Sequence, residues 1–219
     1  MIHCAEDTEG ADRREIGWGR FKSDYSALIT CEDHEALIVY QGVLPVDYHL
    51  RAPIPLPRRP LQGMVEISAT FLIPTEVDPE HAGAYTRSGV KIGFRPDSRK
   101  FRDYGDGRRS QHPVTESFFS VHNMYAAAEY ELQEQGQKWE PCIRATKRKR
   151  ASGLYEPCFD IDYQHRDGPQ KAIEPKAVNY ALIISVRAPR VADLYDQIVR
   201  DYANILVPLR PRIRIPVRT

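Results

Sequence analysis

The sequence lacks an excess of charge of either sign and lacks any long apolar run. Lysine and arginine total 31 against 30 for aspartate and glutamate, so the net charge predicts neither nucleic acid nor an anionic membrane as a partner. No stretch approaches the roughly 20 apolar residues of a membrane-spanning helix, and no charged and apolar leader opens the chain as given. We therefore expect a cytoplasmic protein with no membrane partner.

Cysteine is scarce, and its spacing excludes two common classes of small protein. The four cysteines are Cys4, Cys31, Cys142 and Cys158. They lack the close pairs of zinc modules and are too sparse for a disulfide-stabilised scaffold, so we expect reduced thiols, no bound metal and no cofactor. His3, Cys4 and His34 form no recognisable zinc or Cys/His nucleophile pattern, and buried structural roles are favoured for Cys4 and Cys31.

No Gly/Ser-rich or charge-rich linker divides the 219 residues, so one sizeable domain is expected. Residues 64–72 alternate apolar and polar side chains and predict a half-buried strand, and residues 90–95 repeat the pattern. Further strands are expected at residues 28–30, 36–40, 117–121, 142–145, 158–163, 180–186 and 209–217. With short helices at 123–132 and 191–202, the pattern predicts a mainly β fold, an antiparallel β-sandwich of the jelly-roll type.

Prolines mark one segment as unsuited to the centre of a sheet. Pro53, Pro55 and Pro57 remove amide donors at alternate positions, so residues 51–57 predict an edge strand or an extended strap. The polar residues 96–115 are expected to form a long mobile loop. Arg210, Arg212 and Arg214 share strand spacing and are candidate partner-binding residues for the acidic edge of another protein.

Candidate catalytic and metal-binding groups are few. Asp160 and Asp162 lie on one face of a predicted strand, where calcium would need further oxygen ligands, and a solvated face is the favoured interpretation. The basic run at residues 147–150 is interpreted as a solvated loop rather than a phosphate site. No Gly-x-Ser-x-Gly turn is present, so no catalytic residue is assigned, although a triad assembled from scattered residues stays a third alternative.

Six short blocks follow one another in an order that resembles a known family. They read IHCAE at residues 2–6, IGWGR at 16–20, ALIVYQG at 36–42, RAPIPLP at 51–57, VDPEH with YTRSG at 77–89, and RAPRVADLY at 187–195. Similar residues follow the helix of the catalytic serine in subtilisin-like serine peptidases (subtilases), particularly a bacterial branch with a long C-terminal extension. The chain lacks the Asp, His and Gly-Thr-Ser blocks of that family.

The resemblance implies that residues 1–24 are the end of a subtilase catalytic domain and that residues 25–219 are its C-terminal β-sandwich. The chain would then be a non-catalytic accessory domain of a serine endopeptidase, bracing the catalytic domain and presenting a recognition surface. The junction is assigned to Trp18, Arg20, Arg51, Pro53 and Pro55, with exposed apolar surface expected over residues 2–18.

The family context implies anti-phage defence and an AAA-type ATPase as a possible partner, beside a catalytic subtilase domain in the same or a separate chain. The alternative from a different class is a free-standing β-sandwich module. It would bind a protein through its proline strap or its basic tail.

Overall fold

Alternating apolar residues build a structure that is mainly β. The computed structural model describes residues 2–6, 8–10, 16–21, 31–46, 48–80, 86–104, 109–119, 141–165 and 177–207. The strands of these ranges are β1 (Glu35–Leu44), β2 (His49–Pro53), β3 (Met64–Leu72), β4 (Ser88–Arg95), β5 (Phe101–Asp103), β6 (Arg109–Pro113), β7 (Glu116–Ser117), β8 (Cys142–Arg150), β9 (Cys158–His165) and β10 (Val178–Arg187). One α-helix, α1 (Leu194–Asp201), and two 3-10 helices, Ile2–Cys4 and Ala151–Gly153, complete the described elements.

The strands form two four-stranded sheets and one separate hairpin. Sheet A has the order β1-β10-β3-β8, sheet B has the order β2-β9-β4-β7, and β5 pairs with β6. Every pairing between these strands is antiparallel. Strands from the last third of the chain, β9 and β10, therefore lie between strands that precede them by a long stretch of sequence.

One hydrophobic cluster contains residues of both sheets. In β3, Val65, Ile67, Ala69 and Phe71 are buried while the residues between them alternate to the opposite face. Sheet B contributes Phe94 and Phe159, whose rings lie 5.6 Å apart between centroids and both contact Phe118. The two-residue period thus places one face of each sheet in the core, as the sequence predicts for residues 64–72.

The proline segment lies at a sheet edge, as predicted. β2 is the outer strand of sheet B and pairs only with β9 in the described structure, so the missing amide of Pro53 interrupts no second ladder. Beyond β2, Ile54 continues this contact by donating its amide to the carbonyl of Pro157. Ile54, Pro55 and Pro57 are buried.

Two expectations about loops require correction. The basic run at residues 147–150 is not a loop but the end of β8, because it pairs with residues 64–67 of β3. Its Lys147 and Lys149 bind the carbonyl of Ser117 and the carboxylate of Glu116 in sheet B. The expected mobile loop at 96–115 contains the β5–β6 hairpin. There the guanidinium of Arg109 lies 4.4 Å from the ring centroid of Phe101.

Helix α1 is shorter than the predicted helix at 191–202. Asp193 has a left-handed backbone, with φ of 59°, which a right-handed helix cannot contain, so α1 begins only at Leu194. The described residues hold one α-helix rather than the two that were predicted, since the second candidate, at 123–132, lies outside them. The predicted strands at 28–30 and 209–217 lie outside them too.

In the described ranges, no helix combines the length and the apolar character needed to cross a lipid bilayer.

A buried ion pair fixes the segment that leads into β4. Arg87 is 1% exposed, and its Nη2 atom donates to the carboxylate of Asp78. The amide of Glu80 donates to the same carboxylate at 3.1 Å, and the amide of Arg87 donates to the carbonyl of Glu76 at 2.8 Å. A guanidinium buried this deeply requires its carboxylate partner, because an unpaired buried charge is costly.

We expect Asp78→Asn to lower the free energy of unfolding by about 3 kcal/mol, since it leaves the buried charge of Arg87 without its counter-charge. Urea denaturation followed by tryptophan fluorescence measures the change. Glu32→Gln is the matched control, because Glu32 contacts Arg187 with 64% of its side chain exposed, and we expect a loss below about 1 kcal/mol. Equal losses in the two variants would show that burial of the Arg87 pair does not matter.

Candidate functional site

Residues 2–6, the first of the six sequence blocks, pack against the outer face of sheet A, defined as the face opposite the hydrophobic core. The 3-10 helix Ile2–Cys4 places the Nδ1 atom of His3 2.9 Å from the hydroxyl of Thr70 on β3, and both residues are buried. From β8, Arg144 donates to the carbonyl of Ile2 at 3.3 Å. Residues 2–6 therefore cover part of this face.

The environment of His3 keeps its ring neutral. Burial, followed by the positive charge of Arg144, lowers the pKa of His3 to about 4. The Nε2 atom is also buried and has no hydrogen-bond partner among the residues that the structure describes. Such a ring is a poor metal ligand or general base in its present place, because neither nitrogen is directed to an open site.

The predicted junction residues Trp18 and Arg20 belong to a second segment that is tied to residues 2–6. Glu6 and Arg20 exchange two main-chain hydrogen bonds of 2.8 Å, and Trp18 is half-buried. Beside them, Ile16 and Phe21 are 40% and 43% exposed. Exposed apolar surface is expected over residues 2–18. Among the described residues of this range, Ala5 is buried and Ile2 and Trp18 are half-buried, so Ile16 contributes most of that surface. Phe21 lies just beyond the range.

Arg51, another predicted junction residue, takes part in an ion-pair network on sheet B. Its Nε atom donates to Asp160 at 2.9 Å, and Arg95 binds the other oxygen of the same carboxylate. The hydrogen bond to Asp160 raises the pKa of Arg51. The neighbouring Asp162 contacts the ring of His49.

These ion pairs show what Asp160 and Asp162, the candidate calcium ligands of the sequence, bind in the structure. Asp160 and Asp162 share one face of β9, as their spacing predicts, but each carboxylate contacts a basic side chain. Across the part of the chain that the structure describes, no group of three or more histidine, cysteine, aspartate or glutamate side chains is placed to hold a metal. The sequence favours a solvated face for this pair, whereas in the structure the side chains of Asp160 and Asp162 are only 23% and 32% exposed and both form ion pairs.

Hydrogen bonds hold the strap, residues 51–57, and the residue that follows it against the rest of the protein. The hydroxyl of Tyr40 donates to the carbonyl of Pro53 at 2.9 Å, and that of Tyr202 donates to the carbonyl of Leu56 at 3.0 Å. Asp201, at the end of α1, accepts the amide of Arg58 at 2.8 Å. Burial, and then the neighbouring tyrosines, raises the pKa of Tyr40 to about 12, so its hydroxyl stays a donor. Pro53 is exposed whereas Pro55 is buried, so the strap offers little free surface to a partner.

Two clefts contain polar side chains but no catalytic arrangement. The first, of about 350 Å³, lies between the strap and the start of α1 and is lined by Arg59, Gln62, Arg190, Asp193 and Gln197 among others, with no nucleophile. The second, of about 460 Å³, includes Ser110 and His112, but the serine hydroxyl donates to the main-chain carbonyl of His112 at 2.7 Å and not to its ring. Neither cleft pairs a nucleophile with a base.

The thiols of Cys31 and Cys158 are poorly placed for nucleophilic chemistry. Burial, and then the charge of Glu35, raises the pKa of Cys31, while burial and then the charge of Asp160 raise that of Cys158. A raised pKa lowers the thiolate population that attacks electrophiles or binds metals. Cys31 therefore fits the structural role that the sequence favours for it, and Cys158, for which the sequence makes no such assignment, is buried.

Sequence reasoning misses the ion pair of Asp78 and Arg87 and the anchoring of His3, although all three residues lie in the blocks at 2–6 and 77–89. The signal that the sequence offers for each residue is its place inside one of the six blocks, which does not indicate that its side chain is buried. Arg210, Arg212 and Arg214 lie outside the described residues.

No protein-family model matches the chain, and no curated protein matches it.

We expect acid to weaken the fold through His3. Because its pKa is lowered from 6.5 to about 4 in the folded chain, the unfolded chain binds more protons between these values. The contribution of neutral His3 is present in full above pH 6.5 and is lost as the pH falls towards 4, a change of about 3 kcal/mol at most. Thermal unfolding of His3→Gln, which keeps a hydrogen-bonding side chain, should depend less on pH over this range. The same pH dependence in both proteins would contradict the assignment.

A separate test concerns the strap. Tyr202→Phe removes the hydrogen bond to Leu56 and should lower the free energy of unfolding by about 1 kcal/mol. Tyr195→Phe is the matched control, because Tyr195 is 40% exposed in α1, which ends next to Tyr202, and should change stability by less than about 0.5 kcal/mol. Chemical denaturation of both variants decides whether the strap contributes to stability.

Proposed function

We propose that this chain is a non-catalytic accessory domain of a subtilisin-like serine endopeptidase. The single observation that carries the proposal is the packing of residues 2–6 on the outer face of sheet A, through His3 and Thr70. In the resembling family, this block ends the catalytic domain. A block held against β3 would fix that domain beside sheet A, which is the bracing role that the resemblance implies.

We propose further that sheets A and B face each other as a β-sandwich of the jelly-roll type. The shared hydrophobic cluster supports this arrangement, since it draws on β1, β3, β8 and β10 from one sheet and on β2, β4 and β9 from the other. The contact of Lys149 in β8 with Glu116 in β7 is a second link between the sheets. An experimental structure would test the topology directly.

In this proposal the chemistry belongs to the parent protein and not to these residues. A Ser-His-Asp triad supplied outside this chain would cleave peptide bonds, with this domain holding its catalytic partner and presenting a surface to protein substrates. An AAA-type ATPase and a role in anti-phage defence complete the proposed context, from the family resemblance alone.

Ile16 and Phe21 would contact the catalytic partner, because they are exposed apolar side chains on the segment that is joined to residues 2–6. We expect the isolated chain to bind a hydrophobic fluorescent dye and to self-associate, and we expect Ile16→Ser with Phe21→Ser to reduce both. Ile205→Ser is the matched control, because Ile205 is also exposed but lies after α1. Equal effects of the two sets of substitutions would remove the evidence for a docking surface here.

The decisive experiment is fluorophosphonate labelling of the native source extract, followed by capture with an antibody against this domain. The proposal predicts a labelled band larger than 25.1 kDa, since the probe reacts only with an active serine. A lone unlabelled band of 25.1 kDa would instead support the free-standing interaction module. Mass spectrometry of the captured band identifies whether one chain holds both parts.

A further inference from the structure

The outer strand of sheet A presents an unusual edge. In the described structure, β8 pairs with β3 on one side and is the last strand of sheet A on the other. Just beyond the two ends of β8, the amide of Ile73 donates to the carbonyl of Pro141, and the amide of Ala151 donates to the carbonyl of Gly63. The odd-numbered residues of β8 therefore direct their main-chain groups to β3. Because hydrogen-bonded pairs recur at every second residue of an antiparallel ladder, the main-chain groups of Arg144, Thr146 and Arg148 face the other edge, called open here because no described strand pairs with it.

The side chains of β8 are strongly basic. Arg144, Lys147, Arg148, Lys149 and Arg150 all lie in this one strand. The contacts described for them include two carboxylates, those of Glu66 with Arg148 and of Glu116 with Lys149. Positive charge therefore exceeds negative charge along the edge, although the net charge of the chain is only +1.

These cations are also held in position. The Nε atom of Arg148 donates to Glu66 at 2.6 Å, and the side chain of Arg148 is 74% exposed. The Nζ atom of Lys149 lies 2.7 and 2.6 Å from the two oxygens of Glu116. Of these two side chains, Lys149 lies on the inner face and Arg148 on the outer face, with Arg144 and Arg150. A cation such as Arg148 that is already ordered loses less side-chain entropy when a ligand binds to it.

We propose that the open edge of β8 binds an extended acidic segment of another protein, which adds a strand to sheet A. The added strand would use the main-chain groups of Thr146 and its neighbours. Its acidic side chains would lie directly across from Arg144, Arg148 and Arg150, at the spacing where opposite charges stabilise a strand pair. This proposal needs no peptidase parent and is independent of the function proposed above.

The charge of β8 selects among possible occupants. Cations on an edge strand disfavour pairing with a second copy of the same strand, which is how edges avoid aggregation. The same cations favour an acidic strand, because like charges directly opposite destabilise and opposite charges stabilise the pair. A protein segment is favoured over nucleic acid because the edge offers main-chain donors and acceptors at two-residue spacing, a pattern that matches a polypeptide backbone.

The test is fluorescence anisotropy of the full chain with a labelled short peptide of alternating glutamate and valine. We expect Thr146→Pro to weaken binding about tenfold, since proline removes an edge-facing amide that would donate to the peptide. Thr146→Val is the matched control, because it keeps the amide and should bind as the unaltered chain does. Arg150→Glu should also weaken binding, whereas Lys100→Glu, on the loop between β4 and β5, should not.

A second peptide keeps the test decisive if the proline variant fails to fold. The same sequence with every amide methylated keeps the acidic charge but cannot pair as a strand, so we expect it not to bind the unaltered chain. Equal binding of the two peptides would overturn the proposal, since charge alone would then explain the affinity. Equal binding by Thr146→Pro and Thr146→Val would also overturn it. So would tighter binding of a short single-stranded oligonucleotide than of the peptide.

Discussion

The architecture depends on inserting two late strands between early ones. β10 lies between β1 and β3, and β9 lies between β2 and β4. Neither sheet can therefore form in full until the last third of the chain has folded onto it. Contacts between residues so distant in sequence require closing long loops before any burial compensates for the lost entropy. The apolar inner positions of β10, such as Leu182 and Ile184, are fully buried, which provides that compensation once the strand is in place.

The same two strands organise the surfaces on which the proposals rest. β9 carries Asp160, which joins Arg51 of the edge strand β2 to Arg95 of β4, so one carboxylate spans three strands of sheet B. β10 supports β3 from one side while β8 lies on the other, and β3 in turn carries Thr70, the contact of His3. The N-terminal contact and the basic edge are thus neighbours on a sheet whose order is set by its central strands.

Periodicity predicts individual strands well in this chain, and it fails where several side chains of one kind adjoin. Residues 64–72 are found as β3 with the predicted inward residues, and the prolines correctly place β2 at an edge. The basic run in β8 conceals its alternation, because inward Lys147 and outward Arg148 are both charged and only their partners distinguish them. Strand pairing, the start of α1 at a left-handed Asp193, and the burial of His3 depend on tertiary contacts that local sequence does not encode.

The buried ring of His3 couples proton binding to the packing of residues 2–6 on the outer face of sheet A. When residues 2–6 leave β3, the ring regains its ordinary affinity for protons, so below neutral pH each molecule that uncovers this face takes up part of a proton. By reciprocity, acid favours the uncovered state, and anything that holds the segment down excludes protons from the ring. A partner that competes with this segment for the outer face of sheet A would therefore bind better in acid, without itself carrying any titratable group.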